Sequence, residues 1–172
     1  NFLNLFISNA GLIVIGAGMT VVMITGGIDI SVGSFVAMGC MMLAWMMEKG
    51  GVGAVPAVLI VLVTGIIFGL VQGFLVAYMD IQPFIVTLAG MFFARGMTAI
   101  ISKDMISITN VTFMAWAKAK VYLPFGGRLN KKGVMIYPYI YPTVIIALLI
   151  LIAVFIMLKY TKFGRSIYAV GV

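Results

Sequence analysis

Long runs of apolar residues without a charged side chain are the feature that most limits how this chain can fold. Leu5–Thr25 and Tyr139–Leu158 are two such runs. A helix of about 20 residues rises roughly 30 Å, the thickness of the hydrocarbon core of a bilayer. Apolar residues make up 64% of the chain and charged residues only 9%, whereas a soluble domain carries about 25% charged residues. The sequence therefore predicts an all-α integral membrane protein.

Three further runs bring the prediction to about five transmembrane helices. Ile30–Met47 begins with small and polar residues, so it is predicted to be broken or short. Val52–Met79 is long enough to cross with tilt. Pro83–Ile101 begins with a proline, which suits the first turn of a helix. We interpret residues 1–172 as a single transmembrane domain and expect the sequence to be incomplete at both ends.

Basic residues are concentrated in the connections between these runs. The polar segment 102–138 holds most of them and is the only stretch large enough for a small extramembrane structure. Charges beside apolar runs are typical of juxtamembrane loops and argue against a nucleic-acid-binding face. In a five-helix topology Lys49 lies on the same side as this segment. The charge rule taken alone therefore places segment 102–138 in the cytoplasm.

Residue types that support catalysis are scarce in this sequence. It contains no histidine and a single cysteine, Cys40. It therefore offers no disulfide, no Ser-His-Asp arrangement and no cysteine- or histidine-based metal cluster. It also lacks the G-x-x-x-x-G-K-[ST] motif that binds the phosphates of ATP. We predict a protein that is not an enzyme and has no cofactor of its own.

A polar interruption separates the first two apolar runs, with the sequence TGGIDISVGS from Thr25 to Ser34. Its paired glycines weaken a helix, and Asp29 or Ser31 is predicted to cap the helix that follows. Two interpretations are open at this point. The segment is either an ordinary turn at the membrane surface or a helix break whose freed backbone groups line a polar pathway.

Arg95 lies inside the apolar run Pro83–Ile101. Insertion scales assign an insertion cost of about 2.5–3.5 kcal/mol to such a residue, so it predicts a pathway role or an ion pair, with Asp29 as one candidate partner. The alternative is a shifted helix from which Arg95 reaches the interface. Weaker candidates for the polar lining carry amide or hydroxyl groups; they are Asn9, Thr20, Thr25, Gln72, Thr87 and Thr98.

Gly65, Gly69 and Gly73 recur at four-residue spacing in the third run. Residues four apart lie on one helix face. The three glycines therefore predict a smooth stripe against which another helix can pack closely.

Three blocks of the sequence together resemble one known family. They are MTVVMITGGIDISVGS at Met19–Ser34, PFIVTLAGMFFARG at Pro83–Gly96 and TKFGRSIYAVG at Thr161–Gly171. In this order they resemble the permease subunits of bacterial ribose-type monosaccharide importers of the ATP-binding-cassette (ABC) class. Met91-Phe92-Phe93 and Gly126-Gly127-Arg128-Leu129 lean toward the galactofuranose-type branch.

The resemblance implies a subunit that forms a sugar pathway in the bacterial plasma (inner) membrane. Its implied partners are separate ATPase subunits that bind the ATP, a second permease copy or a homologous permease, an extracytoplasmic sugar-binding protein and the lipid bilayer, with no nucleic acid. A stand-alone secondary transporter or channel is the alternative. The family order makes segment 102–138 an extracytoplasmic loop, against the charge rule, and places Lys162 and Arg165 in the cytoplasm.

Two groups of site residues follow. A sugar path needs polar groups beside aromatic or apolar walls, and the residues predicted to line it are Asp29, Ser31, Ser34, Phe84, Thr87, Phe92 and Arg95. The resemblance implies that a second group faces the ATPase; it consists of Phe163, Gly164, Arg165 and Tyr168.

Overall fold

The computed structural model of the chain describes residues 2–122, 128–129 and 135–171. The described helices are α1 (Phe2–Ile24), α2 (Val32–Glu48), α3 (Ala54–Tyr78), α4 (Pro83–Ile101), α5 (Val111–Lys118), α6 (Pro142–Tyr160) and α7 (Lys162–Val170). The short strands are β1 (Val121–Tyr122), β2 (Arg128–Leu129), β3 (Met135–Ile136) and β4 (Tyr139–Ile140). The chain divides into two compact units, one of residues 1–25 with 115–172 and one of residues 26–114. The single-domain interpretation stays a prediction.

The all-α membrane class is confirmed. Among the described residues, four helices are long and apolar enough to cross a membrane, namely α1, α3, α4 and α6. Helix α2 is equally apolar but has 17 residues, or about 25 Å at 1.5 Å per residue. It is the short helix that the sequence predicted, because the polar interruption before it takes up the residues that would have lengthened it.

In the first unit, α1 packs along α6. Ala10, Val144 and Ala147 form the buried centre of this contact. Two alanines at the centre let the helices approach closely, which is how transmembrane helices gain packing energy where lipid is as apolar as the side chains. Helix α7 also contacts α1. A methyl group on Gly171, the residue after α7, would overlap the carbonyl oxygen of Ile24, so the C-terminal end of α7 lies closely against the C-terminal end of α1.

The start of α6 differs from the predicted span, which began at Tyr139. Tyr139 and Ile140 instead form β4, which pairs antiparallel with β1 in the register Val121↔Ile140 and Tyr122↔Tyr139. The helix begins at Pro142, since a proline disfavours helical backbone in the residue before it and suits the first helical position. The tyrosines pack edge to face, and Nζ of Lys120 lies 4.4 Å from the centre of the Tyr139 ring.

In the second unit, α2, α3 and α4 pack against one another. The rings of Phe35, Phe68 and Phe93, one from each helix, form a stack with centroid separations of 4.8 and 6.4 Å. Ala94 is fully buried in α4. A second buried cluster of Met47, Ala54 and Ala57 joins the end of α2 to the start of α3.

Glu48, the last residue of α2, fastens the chain that follows α4. Its carboxylate accepts hydrogen bonds from the backbone N–H and hydroxyl of Thr109, both at 2.6 Å, and from the N–H of Asn110 at 3.0 Å. Asn110 in turn accepts from the N–H of Phe113 in the first turn of α5. The Thr109 hydroxyl is the main cause of a Glu48 pKa below its ordinary value of 4.5. We call Glu48, Thr109 and Asn110 the Glu48 clasp.

The predicted loop 102–138 contains α5 and the short strands rather than only irregular chain. Strands β2 and β3 pair antiparallel, with Arg128 opposite Ile136 and Leu129 opposite Met135. Gly126 and Gly127 of the galactofuranose-like sequence lie outside the described residues. The placement of this segment outside the cytoplasm stays a prediction.

Candidate functional site

The polar interruption is a break in the helical structure. Helix α1 ends at Ile24 and α2 begins at Val32. Gly26 has a φ of +75°, a left-handed conformation that glycine adopts without steric cost. The next glycine, Gly27, is buried. The two glycines therefore have separate uses, one conformational and one in packing.

Asp29 holds the segment that leads into α2. Its Oδ1 accepts from the backbone N–H of Ser31 at 2.8 Å and from the Ser31 hydroxyl at 2.6 Å. This pattern, an Asp side chain bonded to the backbone two residues on, is a local turn rather than a helix cap. Ser31 is the N-cap residue by position, but its side chain makes no capping hydrogen bond. The predicted side-chain cap is therefore wrong, because the hydroxyl is engaged by Asp29.

Ser31 connects the break to α3. It is 1% exposed, and its Oγ accepts from the side-chain amide of Gln72 at 3.2 Å while donating to Asp29. Helix α4 lies close by at Gly90, where a methyl group would overlap the Gln72 amide nitrogen and lie 3.1 Å from Cζ of Phe68. Gln72 was only a weak candidate from sequence, and Gly90 was not identified at all.

Thr87 ties α4 to the same break. It is 6% exposed, and its hydroxyl lies 3.2 Å from two carbonyl oxygens, those of Ile28 and Phe84. The carbonyl of Ile28 belongs to the non-helical segment and would otherwise lack a helical partner. The structure thus places Asp29, Ser31 and Thr87 at the same break, Asp29 and Ser31 bonded to each other and Thr87 bonded to the carbonyl of Ile28.

Arg95 does not pair with Asp29. Its Nε donates to the hydroxyl of Ser34 at 3.3 Å, and in the described part of the chain it forms no ion pair. Arg95 is exposed. The expected carboxylate partner is wrong because Asp29 is bound to Ser31, whereas Arg95 lies two turns of α4 beyond Thr87.

A cavity of about 380 Å³ opens beside Arg95. Its polar lining comes from Ser34, Arg95 and Thr98, and its other walls come from Ile30, Gly33, Ala37 and Met91. The lining belongs to α2, α4 and the end of the break. A concave site with apolar walls and a few convergent polar groups is the usual form of a small-molecule site. Ser34 and Arg95 were predicted in this role, and Thr98 was a weaker candidate.

The two predicted aromatic residues do not line this cavity. Phe84 is 48% exposed and Phe92 is 60% exposed. Phe92 follows Met91 on α4 and therefore lies about 100° around the helix from it. Their assignment to a substrate pathway stays a prediction that the cavity does not support.

The glycine stripe of α3 is used only in part within the described residues. A methyl group on Gly65 would lie 3.4 Å from the Phe35 ring, but Gly69 and Gly73 face open space. Close packing at those two positions stays a prediction.

Several weaker candidates bond to their own helix. Asn9, Thr20 and Thr25 each donate to a backbone carbonyl three or four residues earlier in α1 or at its end. A polar side chain satisfied in this way is tolerated in an apolar helix. These three positions therefore need no pathway to account for them.

Helix α7 carries the residues predicted to face an ATPase. Thr161 caps it by accepting from the N–H of Gly164 at 3.0 Å. Gly164 is buried, and a methyl group there would overlap the carbonyl oxygens of Met157 and Leu158. Its role is therefore to permit the turn between α6 and α7. Phe163, Arg165 and Tyr168 are exposed.

Membrane-crossing helices, a helix break fixed by polar side chains and an adjacent cavity define the architecture of a transport protein. In agreement, residues 1–172 match the family described as branched-chain amino acid transport system / permease component. The chain belongs to this permease family.

Individual relatives extend this result. The chain is 35% identical to the inner membrane ABC transporter permease protein YjfF of Escherichia coli, over 98% of this chain and 47% of the relative. It is 38% identical to the galactofuranose transporter permease protein YtfT of E. coli, over 90% and 41%. It is 35% identical to the ribose import permease protein RbsC of E. coli, over 92% and 46%.

These relatives confirm the resemblance to ribose-type permeases, including the galactofuranose branch. The chain spans about half the length of the curated relatives it matches. No solved structure gives a significant match to it.

Proposed function

We propose that the chain is the pathway-forming part of a permease subunit that imports a monosaccharide across the bacterial plasma (inner) membrane. The observation that carries this proposal is the similarity, over nine-tenths or more of the chain, to permeases whose names specify ribose or galactofuranose. The apolar surface of the helices supports a location in the bilayer. In α3, for example, Leu62, Ile66 and Leu70 are all more than half exposed.

The chemistry of the cavity suits a sugar. The described lining residues include the guanidinium of Arg95 and the hydroxyls of Ser34 and Thr98, and no carboxylate. Sugar hydroxyls accept hydrogen bonds from a guanidinium and exchange them with the hydroxyls of Ser34 and Thr98.

The subunit in this proposal is not an enzyme and needs no cofactor, since separate ATPase subunits bind and hydrolyse the ATP. Its other partners are a second permease copy or a homologous permease and an extracytoplasmic sugar-binding protein. Phe163, Arg165 and Tyr168, which are exposed on α7, would contact the ATPase, with Gly164 permitting the turn between α6 and α7.

Reconstitution tests this function. The full-length permease is placed in liposomes with the proposed partner ATPase and binding protein, and ATP hydrolysis is measured with a panel of pentoses and hexoses. We expect at least one sugar to stimulate hydrolysis. The same sugar should accumulate on the side of the membrane opposite the binding protein. If no sugar does so, or if the permease alone moves sugar without ATP, the importer assignment is wrong and the stand-alone transporter replaces it.

A further inference from the structure

We infer that the cavity beside Arg95 is a selectivity site that accepts an uncharged polyhydroxylated molecule and rejects the same molecule when it carries a protonated amine. This inference rests on the proposed function, because it specifies the substrate class of the same pathway. It assigns the discrimination to the permease itself, in addition to any selection by a binding protein.

The first argument is the charge of the cavity. A guanidinium is always protonated and offers five N–H donors and no acceptor. The Nε of Arg95 is bound to Ser34, so the terminal amino groups are left to bind a ligand. An ammonium group in the same cavity would meet this positive charge without an intervening carboxylate. The repulsion acts at short range, because the ligand and the guanidinium would share one cavity.

The second argument is the state of the two hydroxyls. The Ser34 hydroxyl accepts from Arg95, so its own hydrogen is free to be donated. The Thr98 hydroxyl donates to the carbonyl of Ala94 at 2.8 Å, so its oxygen is free to accept. The cavity therefore offers several donors, and its side-chain acceptors are neutral hydroxyls, which suits hydroxyl and ring oxygens better than a group with three N–H donors.

The third argument is the position of the nearest acidic side chain along the break. Asp29 does not line the cavity, and its Oδ1 already accepts two hydrogen bonds from Ser31. A cationic ligand in the cavity would therefore contact no carboxylate among the lining residues. The apolar walls of Ile30, Ala37 and Met91 suit the C–H faces of a sugar ring.

Cysteine protection tests the inference without relying on transport. In the full-length permease with its ATPase, Cys40→Ser removes the exposed native thiol and Ala37→Cys places one in the cavity wall. We expect at least one neutral sugar among ribose, galactose and glucose to slow maleimide labelling about tenfold at ten times its Kd. Glucosamine or galactosamine at the same concentration should not slow it. Val36→Cys, on the exposed part of α2 outside the cavity, is the matched control that no sugar should protect.

Two further variants connect the selectivity to Arg95. With Arg95→Gln, which keeps hydrogen-bonding capacity but removes the charge, amino sugars should protect Ala37→Cys as well as neutral sugars do. With Arg95→Lys, the discrimination should remain. Size-exclusion profiles of the purified complexes establish that each variant is folded.

Equal protection by amino and neutral sugars with Arg95 intact would overturn the inference. A complex in which a neutral sugar stimulates ATP hydrolysis without protecting Ala37→Cys would also overturn it while leaving the proposed function standing. Protection without stimulation by any sugar would support the site and count against the importer.

Discussion

Gly90 faces the side-chain amide of Gln72 and the ring of Phe68, so its single hydrogen sets how closely α4 approaches α3. The same Gln72 amide donates to Ser31 in the helix break. A side chain at position 90 would therefore displace the group that ties the break to α3. The absence of a Cβ atom at Gly90 therefore affects the segment that leads into α2.

We predict that Gly90→Ala destabilises the protein by about 1–3 kcal/mol, the usual cost of overpacking a fitted interface. The added methyl group must displace Gln72, so uptake should fall as well. Thermal unfolding in detergent measures the first effect and radiolabelled uptake the second.

Gly96→Ala is the matched control on the same helix, since nothing lies within 4 Å of that position. It should leave stability unchanged or raise it, because alanine favours a helix over glycine by about 1 kcal/mol. Equal effects of the two substitutions would show that helix propensity and not the Gln72 contact decides the result.

Residue composition alone could not have identified Gly90. It is one of 20 glycines, and its importance depends on which side chain of another helix stands opposite. The regular spacing of Gly65, Gly69 and Gly73 was the more visible pattern, yet only Gly65 contacts a neighbour within the described residues. Arg95 was identifiable because a charge in an apolar run is conspicuous, and Ser34 was predicted as a pathway residue from its place in the polar interruption. The hydrogen bond between them was not predictable, because the two residues are 61 positions apart in sequence.

At the scale of elements, the Asp29 turn determines where α2 begins. We predict that Asp29→Ala destabilises the protein by about 1–3 kcal/mol, because it leaves the buried Ser31 without its acceptor. Asp29→Asn keeps a carbonyl oxygen in place of Oδ1 and should cost much less. Melting temperatures of the two variants test this ranking, and equal losses for Asp29→Ala and Asp29→Asn would mean that the negative charge itself is needed.

The Glu48 clasp makes the segment that follows α4 sensitive to pH. Hydrogen bonds, that of the Thr109 hydroxyl first, hold the pKa of the Glu48 carboxyl below 4.5. The stabilisation is therefore complete above about pH 4.5 and is lost as the pH falls through the lower pKa of the folded state.

We accordingly predict that the protection factors of the backbone amides in residues 102–110, which correct the exchange rates for the intrinsic rate, fall as the pH is lowered from neutral to about pH 3. Glu48→Gln should show lower protection factors already at neutral pH and little further change on acidification. An identical pH response in wild type and variant would mean that another group controls this segment.

The helices were largely predictable and the smaller elements were not. Four spans needed only enough consecutive apolar residues, a property that is local in sequence, and Pro83–Ile101 matches α4 at both ends. The strands β1 and β4 exist through pairing between Val121–Tyr122 and Tyr139–Ile140, which are distant in sequence. That pairing is also why the predicted start of α6 was wrong.

At the scale of the whole molecule, sidedness is the main open prediction. The family order places segment 102–138 outside the cytoplasm and Lys162 inside, against the charge rule. In the full-length protein on a Cys40→Ser background, we expect Lys120→Cys to react with an impermeant maleimide applied to intact cells and Lys162→Cys to react only after permeabilisation. If only position 162 is labelled from outside intact cells, the predicted sidedness is wrong and the topology is the reverse.

One oxygen atom, Ser31 Oγ, is shared between an acceptor on the helix break and a donor on α3. The contributions of Asp29 and Gln72 to the free energy of unfolding are therefore thermodynamically coupled, although the two residues are far apart in sequence. Once either is removed, loss of the other should cost less than it does in the wild type, a departure from additivity that a double-mutant cycle resolves. The stability effect of a substitution at position 29 therefore depends on which residue occupies position 72, and the reverse holds as well.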